Sequence, residues 1–132
     1  MSRRVALVCN TNFYVGPDLA LILADRGHDL VVGDPQDGLV EELQAAGAAV
    51  EVVTGVSDLR DGTSAHRLVD AAMERFGRLD SATWFTGRVY TGQVFDSDEA
   101  VLRKNLDGNV VGPFHALQAS IAPMVEQGSG QV

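Results

Sequence analysis

A chain of 132 residues with 45% apolar side chains has material for one packed domain and is far from a disordered composition. Its formal charge of −8 and single cysteine, Cys9, exclude a nucleic-acid partner held by clustered cations, an internal disulfide and a multi-cysteine metal site. No apolar run has the length needed to cross a bilayer, and the start, MSRRVALVCN, turns polar too soon for a secretory signal, so no membrane partner and a cytoplasmic location are expected.

Residues 4 to 9 (RVALVC) form a run rich in branched side chains, the pattern of a strand buried on both faces. Leu19, Ala20, Ile22 and Leu23 then recur at helical spacing, and Gly27 stands where that helix would stop. Residues 29 to 33 (DLVVG) predict a second strand, DGLVEELQAAG a second helix ending at Gly47, and residues 49 to 53 (AVEVV) a third strand. From Ser64 to Phe76, the side chains of Ala65, Leu68, Val69, Ala72 and Phe76 share one stripe, the clearest helix in the chain. Residues 79 to 86 (LDSATWFT) give a fourth strand. A long helical region from about Asp98 to Gln127 follows, with Asp96 or Ser97 as its cap and Glu99 in its first turn. The closing GSGQV reads as a turn entering a fifth strand. This alternation predicts a doubly wound α/β fold: a parallel sheet, helices on both faces and right-handed crossovers. A sheet that breaks off at its fifth strand is expected to be the N-terminal part of a longer fold, the alternative being a compact minimal domain.

The first strand-to-helix loop carries the functional question. A dinucleotide site there needs a tight turn, a backbone that approaches a pyrophosphate, and an acid after strand two to meet the ribose hydroxyls. Asp34 supplies the acid, eighteen residues after Gly16, and Gly16 opens the helix whose unpaired N–H groups attract anions. Pro17 suits the first helical turn. Tyr14 and Asp18 oppose the reading, one by the bulk of its ring and the other by its charge. Residue chemistry alone leaves both a bound dinucleotide and an empty loop open.

Several stretches in sequence order resemble the short-chain dehydrogenases/reductases, Rossmann-fold oxidoreductases that use a nicotinamide cofactor. The loop from Cys9 to Gly16 is similar to the family's T-G-x-x-x-G-x-G and keeps only the last glycine. VSDLRD resembles the stretch after strand three, RFGRLD the approach to strand four, and Trp84-Phe85-Thr86-Gly87 the family's N-N-A-G. GNVVGPFHALQA resembles the long-helix signature. The resemblance runs from about Arg4 to Val132 and implies cofactor contacts at Asn10, Tyr14, Val15, Gly16, Asp34, Asp58, Leu59, Phe85 and Gly87. It puts Asp58 on the acid that meets the adenine amino group, Asn109 on the catalytic asparagine and Gly112 on its companion glycine.

What the family does is move a hydride between cofactor and a carbonyl or alcohol carbon of a small-molecule substrate. Its Tyr, Lys and Ser have no counterpart here. Tyr14 and Tyr90 have Asp18 and Val94 four residues on, and the only lysine, Lys104, lies upstream on the long helix. The 132 residues by themselves are therefore expected to be inactive. The expected cofactor is NAD rather than NADP, because Asp34 would repel a 2′-phosphate, or none if the loop is blocked. Two alternatives come from other classes. Halohydrin dehalogenases resemble this fold and carry an aromatic residue where Tyr14 stands; a silent subunit would oligomerise through the long helix.

The remaining conspicuous residues read more plainly. Cys9 reads as a small buried residue rather than a nucleophile, and His28, His66 and His115 lack metal-ligand spacing, so no metal is expected. Trp84 and Phe85 are expected in core or pocket wall, Arg88 in a solvated loop or facing an anion, and DSDE (96 to 99) in a helix cap. Val101, Val110, Phe114, Leu117, Ile121 and Val125 give helix 98–127 more apolar surface than one sheet face needs; the resemblance implies a homo-oligomer through that helix, and in a truncated chain part of the stripe would instead be uncovered core.

Overall fold

In the computed structural model, which describes residues 2–87 and 91–132, the branched run near the N-terminus forms β1 (Arg4–Val8). Its side chains alternate between two cores. Val5, Leu7 and the following Cys9 join one, Ala6 and Val8 the other, and none is more than 1% exposed. A strand buried on both faces belongs in the middle of a sheet, and β1 pairs with β2 (His28–Gly33) on one side and β4 (Ser81–Thr83) on the other. With β3 (Val50–Val53) outside β2, the parallel order is β3-β2-β1-β4. A parallel bridge from Ser81 to Gln131 lays the start of a fifth strand beside β4.

Helices α1 (Gly16–Asp25) and α2 (Leu39–Ala45) cover the face of Ala6, Val8, Leu30 and Val32. The opposite face lies under α3 (Thr63–Phe76), whose Leu68 and Ala72 pack against Leu7 and Val31, and under the later helix that brings Ala119 and Met124. Left-handed glycines bound α3 at both ends, Gly62 at φ +76° and Gly77 at φ +71°. The long helical region is α4 (Glu99–Leu106) and α5 (Gly112–Gln127) joined through one π-turn, Asp107–Val111. It begins on Asp98, whose carboxylate accepts the Val101 N–H at 3.0 Å. Asp96 and Ser97 do not cap it: their N–H groups both return to the Gln93 carbonyl in a separate turn.

Strand four is shorter than the sequence predicts. Its last ladder bond runs from Cys9 N–H to the Thr83 carbonyl at 3.1 Å, and the Phe85 N–H then turns to the Cys9 thiol at 3.0 Å. At the other end of the sheet, side chains pin the strand starts. Asp80 accepts the Val5 N–H at 2.8 Å and a two-pronged contact from Arg78 at 2.8 and 2.6 Å. Asp29 accepts the Ala49 N–H and pairs with Arg3, both at 2.9 Å. Trp84 donates to Ser120 at 3.0 Å and so ties the end of β4 to α5. With the N-terminal edge of the sheet fastened, the loops at its C-terminal edge are left to build a site. Among the described residues no helix is long and apolar enough to cross a membrane.

Candidate functional site

In an order of β3-β2-β1-β4 the chain leaves β1 in one direction and β4 in the other, which opens a crevice at their C-terminal ends. A cavity of about 620 Å³ lies there. Asn10, Asn12 and Phe13 of the first loop line it, as do Ser57, Asp58, Leu59 and Arg60 of the β3–α3 loop. Phe85, Thr86 and Gly87 come from the segment after β4, and Gly108 and Gly112 from the two ends of the π-turn.

In the first loop, two positions show why the backbone path survives without its glycines. A Cβ on Gly16 would stand 1.9 Å from the Asn10 carbonyl oxygen, so α1 starts in a contact only glycine allows. Tyr14 has φ +54°, the left-handed conformation a glycine would supply there. Its ring is 76% exposed, with Phe85 edge-on at 6.5 Å and Phe13 at 6.2 Å. Tyr14 does not line the cavity. The first turn of α1 offers fewer donors than a glycine loop would. Gly16 N–H bonds the Phe13 carbonyl, Leu19 N–H bonds the Val15 carbonyl, Pro17 has no N–H, and Val15 caps the helix without a side-chain bond. The Asp18 amide remains, and its carboxylate is exposed.

Asp34 stands off the cavity lining and faces the β3–α3 loop. Its carboxylate accepts the N–H of Gly55 at 2.6 Å, that of Val56 at 2.9 Å and the Ser57 hydroxyl at 2.6 Å. Partial burial pushes its pKa up, but these hydrogen bonds outweigh it and hold the carboxyl below the usual range, so it is ionised at neutral pH. Asp58 lies on the wall, and Arg60 grips its carboxylate through Nε at 2.8 Å and Nη2 at 2.5 Å.

Asn109 sits in the π-turn, where its Nδ2 donates to the Asn105 carbonyl at 2.9 Å. A Cβ on Gly87 would come within 2.9 Å of the Asn109 Oδ1, so these two residues meet at the cavity although 22 positions separate them. π-turns concentrate at functional sites because they re-aim one turn of side chains.

Six of the residues singled out in the sequence thus line one cavity: Asn10, Asp58, Leu59, Phe85, Gly87 and Gly112, with Asn109 against Gly87. Tyr14, Val15, Gly16 and Asp34 border it without lining it. Sequence reading missed Arg60, although its place two residues after Asp58 lets a guanidinium fold back on that carboxylate. Burial pushes the Cys9 thiol up to about 11, against hydrogen bonds that lower it, and leaves it unreactive. His28 Nδ1 bonds the Leu23 carbonyl at 3.1 Å, and no group of metal-ligating side chains occurs among the described residues. Arg88 and Tyr90 lie outside the described residues.

The family model described as "Enoyl-(Acyl carrier protein) reductase" matches residues 15–132. The A-factor type gamma-butyrolactone 1'-reductase (1S-forming) of Streptomyces virginiae is 33% identical over 137 residues, covering 98% of this chain and 52% of that protein. Among solved structures, a 3-oxoacyl-[acyl-carrier protein] reductase from Brucella melitensis in complex with NAD superposes with a TM-score of 0.79 at 26% identity, over 95% of this chain and 50% of that one. An actinorhodin polyketide ketoreductase with NADPH superposes with a TM-score of 0.82 at 25% identity, over 97% and 51%. The chain spans about half the length of the relatives it matches.

Proposed function

Because the chain belongs to the short-chain dehydrogenase/reductase family, we propose that its crevice between β1 and β4 takes a nicotinamide dinucleotide, and that the protein is an oxidoreductase acting on a carbonyl or alcohol carbon of a small molecule. One observation carries the reading: the first loop, the β3–α3 loop, the segment after β4 and the π-turn all converge on a single cavity at the switch point.

The residues present fit such a cofactor best at its adenosine end. Asp58 puts a carboxylate on the wall that Arg60 already grips, so an exocyclic amine would share it with the guanidinium, while Leu59 and Phe85 offer apolar faces to flat rings. Gly87 leaves room for the Asn109 side chain beside the cavity. The diphosphate end has fewer donors, and Tyr14 is not part of its lining. When bound, the cofactor supplies or accepts the hydride. The chain's own residues hold it, and Asn109, against Gly87, belongs to the proton path. The family's Tyr, Lys and Ser have no counterpart in the chain, so these 132 residues alone are expected to bind without turnover.

NAD is preferred over NADP in this reading, because the ionised Asp34 near the ribose position disfavours a 2′-phosphate. That Tyr14 is not among the residues lining the cavity favours the redox reading over a dehalogenase-like one, which would use the aromatic ring inside the cofactor space. Self-association through the exposed side of α4 and α5, and a cytoplasmic location, complete the proposal. The test is titration with NADH, read by fluorescence transfer from Trp84 and by the melting temperature. A rise of about 2.7 kcal/mol in stability is expected at a hundredfold excess over Kd. No shift at millimolar NADH, together with a shift in halide, overturns the reading.

A further inference from the structure

The β3–α3 loop is held from two sides by opposite charges. Asp34, at the end of β2, takes the N–H groups of Gly55 and Val56 and the hydroxyl of Ser57. Arg67, on the first half of α3, takes the carbonyls on the other side: Nη2 donates to Thr54 at 2.9 Å and Nη1 to Gly55 at 3.3 Å. The Asp34 N–H also bonds the Val53 carbonyl at 2.9 Å, so the carboxylate is fixed to the strand from which the loop departs. An anion on the amides and a cation on the carbonyls match the two polarities of a peptide segment. The loop therefore cannot rotate without surrendering both sets of bonds. Immediately after this grip come Ser57, Asp58, Leu59 and Arg60, the adenosine-side wall of the cavity.

We infer that Asp34 and Arg67 are positioning residues that string the β3–α3 loop and so pre-set the wall of the nucleotide cavity. A carboxylate has about four lone-pair sites, and three of those on Asp34 are taken by the loop. Its bonding capacity goes mainly to holding the wall and only in small part to a ribose hydroxyl. Arg67 stands off the cavity lining, so its effect on binding runs through the loop alone.

The inference deepens the dinucleotide reading and rests on it for one of two arms. In the first arm, amide hydrogen exchange is followed by NMR in the ligand-free chain. Asp34→Asn leaves one oxygen in place of two and is expected to speed exchange at Gly55 and Val56 by about fivefold or more, with β1 and β2 unchanged. Unchanged exchange at both amides overturns the anchoring. In the second arm, NADH and NADPH affinities are measured for Arg67→Gln and Arg67→Met, both of which leave the charge at Asp34 and every residue of the cavity lining intact. Each is expected to weaken both dinucleotides by the same factor, about threefold to tenfold, leaving their ratio fixed. Unchanged affinities, or a ratio that moves more than about threefold, overturn the positioning role. Failure of the wild-type chain to take either dinucleotide sinks the function proposed above, while the exchange arm still decides the anchoring.

Discussion

Tyr14 and Gly16 stand two residues apart in the same loop and answer to different constraints. At Gly16 the constraint is contact, since an added Cβ would lie 1.9 Å from the Asn10 carbonyl oxygen. Backbone must move to admit even an alanine there, and Gly16→Ala should cost at least about 1–3 kcal/mol, the range of overpacked sites. At Tyr14 the constraint is the sign of φ, and a tyrosine meets it at a cost of about 1–2 kcal/mol. Comparing Tyr14→Gly with Tyr14→Ala isolates that cost, because both remove the ring and its edge contact with Phe85. The glycine variant should be the more stable of the two by about 1 kcal/mol in urea denaturation, its unfolded-state entropy having reduced the margin. Equal midpoints would mean that the loop does not keep the left-handed turn. A resemblance in sequence sees two lost glycines and one kept; the structure explains why these particular substitutions can coexist with the fold.

Between elements, one ionised group helps to fasten β1 to β4 at the N-terminal edge, beside the Asp80 N–H that bonds the Val5 carbonyl at 2.9 Å. Asp80 accepts from Val5 of β1 and from Arg78 just before β4. Partial burial raises its pKa, but the Arg78 and Val5 hydrogen bonds and the charges of Arg78 and Arg4 outweigh this and bring the carboxyl below 3.8. A folded pKa below the unfolded one means that the stabilisation is present above about pH 3.8 and is lost as pH falls through the lower, folded value. Asp80→Asn should therefore lower the melting temperature at pH 7 and flatten the acid limb of the stability curve; an acid limb as steep as that of the wild type would refute the pin. Strands β1 and β2 were legible in the sequence because they are buried on both faces and read as branched runs. The end of β4 was not, because Trp84 and Phe85 extend the apolar run after the ladder has stopped at Thr83. The π-turn was equally hidden. Its residues, DGNVV, carry no periodic signature of their own, although Leu102, Leu106, Val110 and Phe114 advance in steps of four through it. Such steps drift around a regular helix, and a wider turn takes up the drift. Of the site, the residues carried by motifs were legible, while the grip of Asp34 on Gly55, Val56 and Ser57 was not, since a pairing across loops leaves no spacing to read.

For the whole molecule, the open question is the surface of α4 and α5. Leu102, Leu106, Val110, Phe114, Leu117, Ile121 and Val125 lie 45–73% exposed, and α4 buries no side chain at all. The apolar line begins on Leu102 and Leu106 rather than on Val101, which is half-buried. Seven large side chains in a row exceed what an isolated soluble protein leaves to water, so self-association along this line is the expected state. Charge acts against it: two copies of net −8 repel, and screening shortens that repulsion to about 10 Å at 0.1 M salt. Apolar contact is insensitive to that screening. Sedimentation at rising salt should therefore show a growing share of oligomer, the reverse of an interface built from ion pairs. The double variant Phe114→Glu, Ile121→Glu places two further carboxylates on the line and should sediment as a monomer. Both positions are about half exposed, at 59% and 47%, so the variant should keep most of its helical circular dichroism. A wild-type chain that stays monomeric at every salt and protein concentration would assign the line to some other covering. An oligomer that weakens as salt rises would assign the contact to charge and move it off these seven residues.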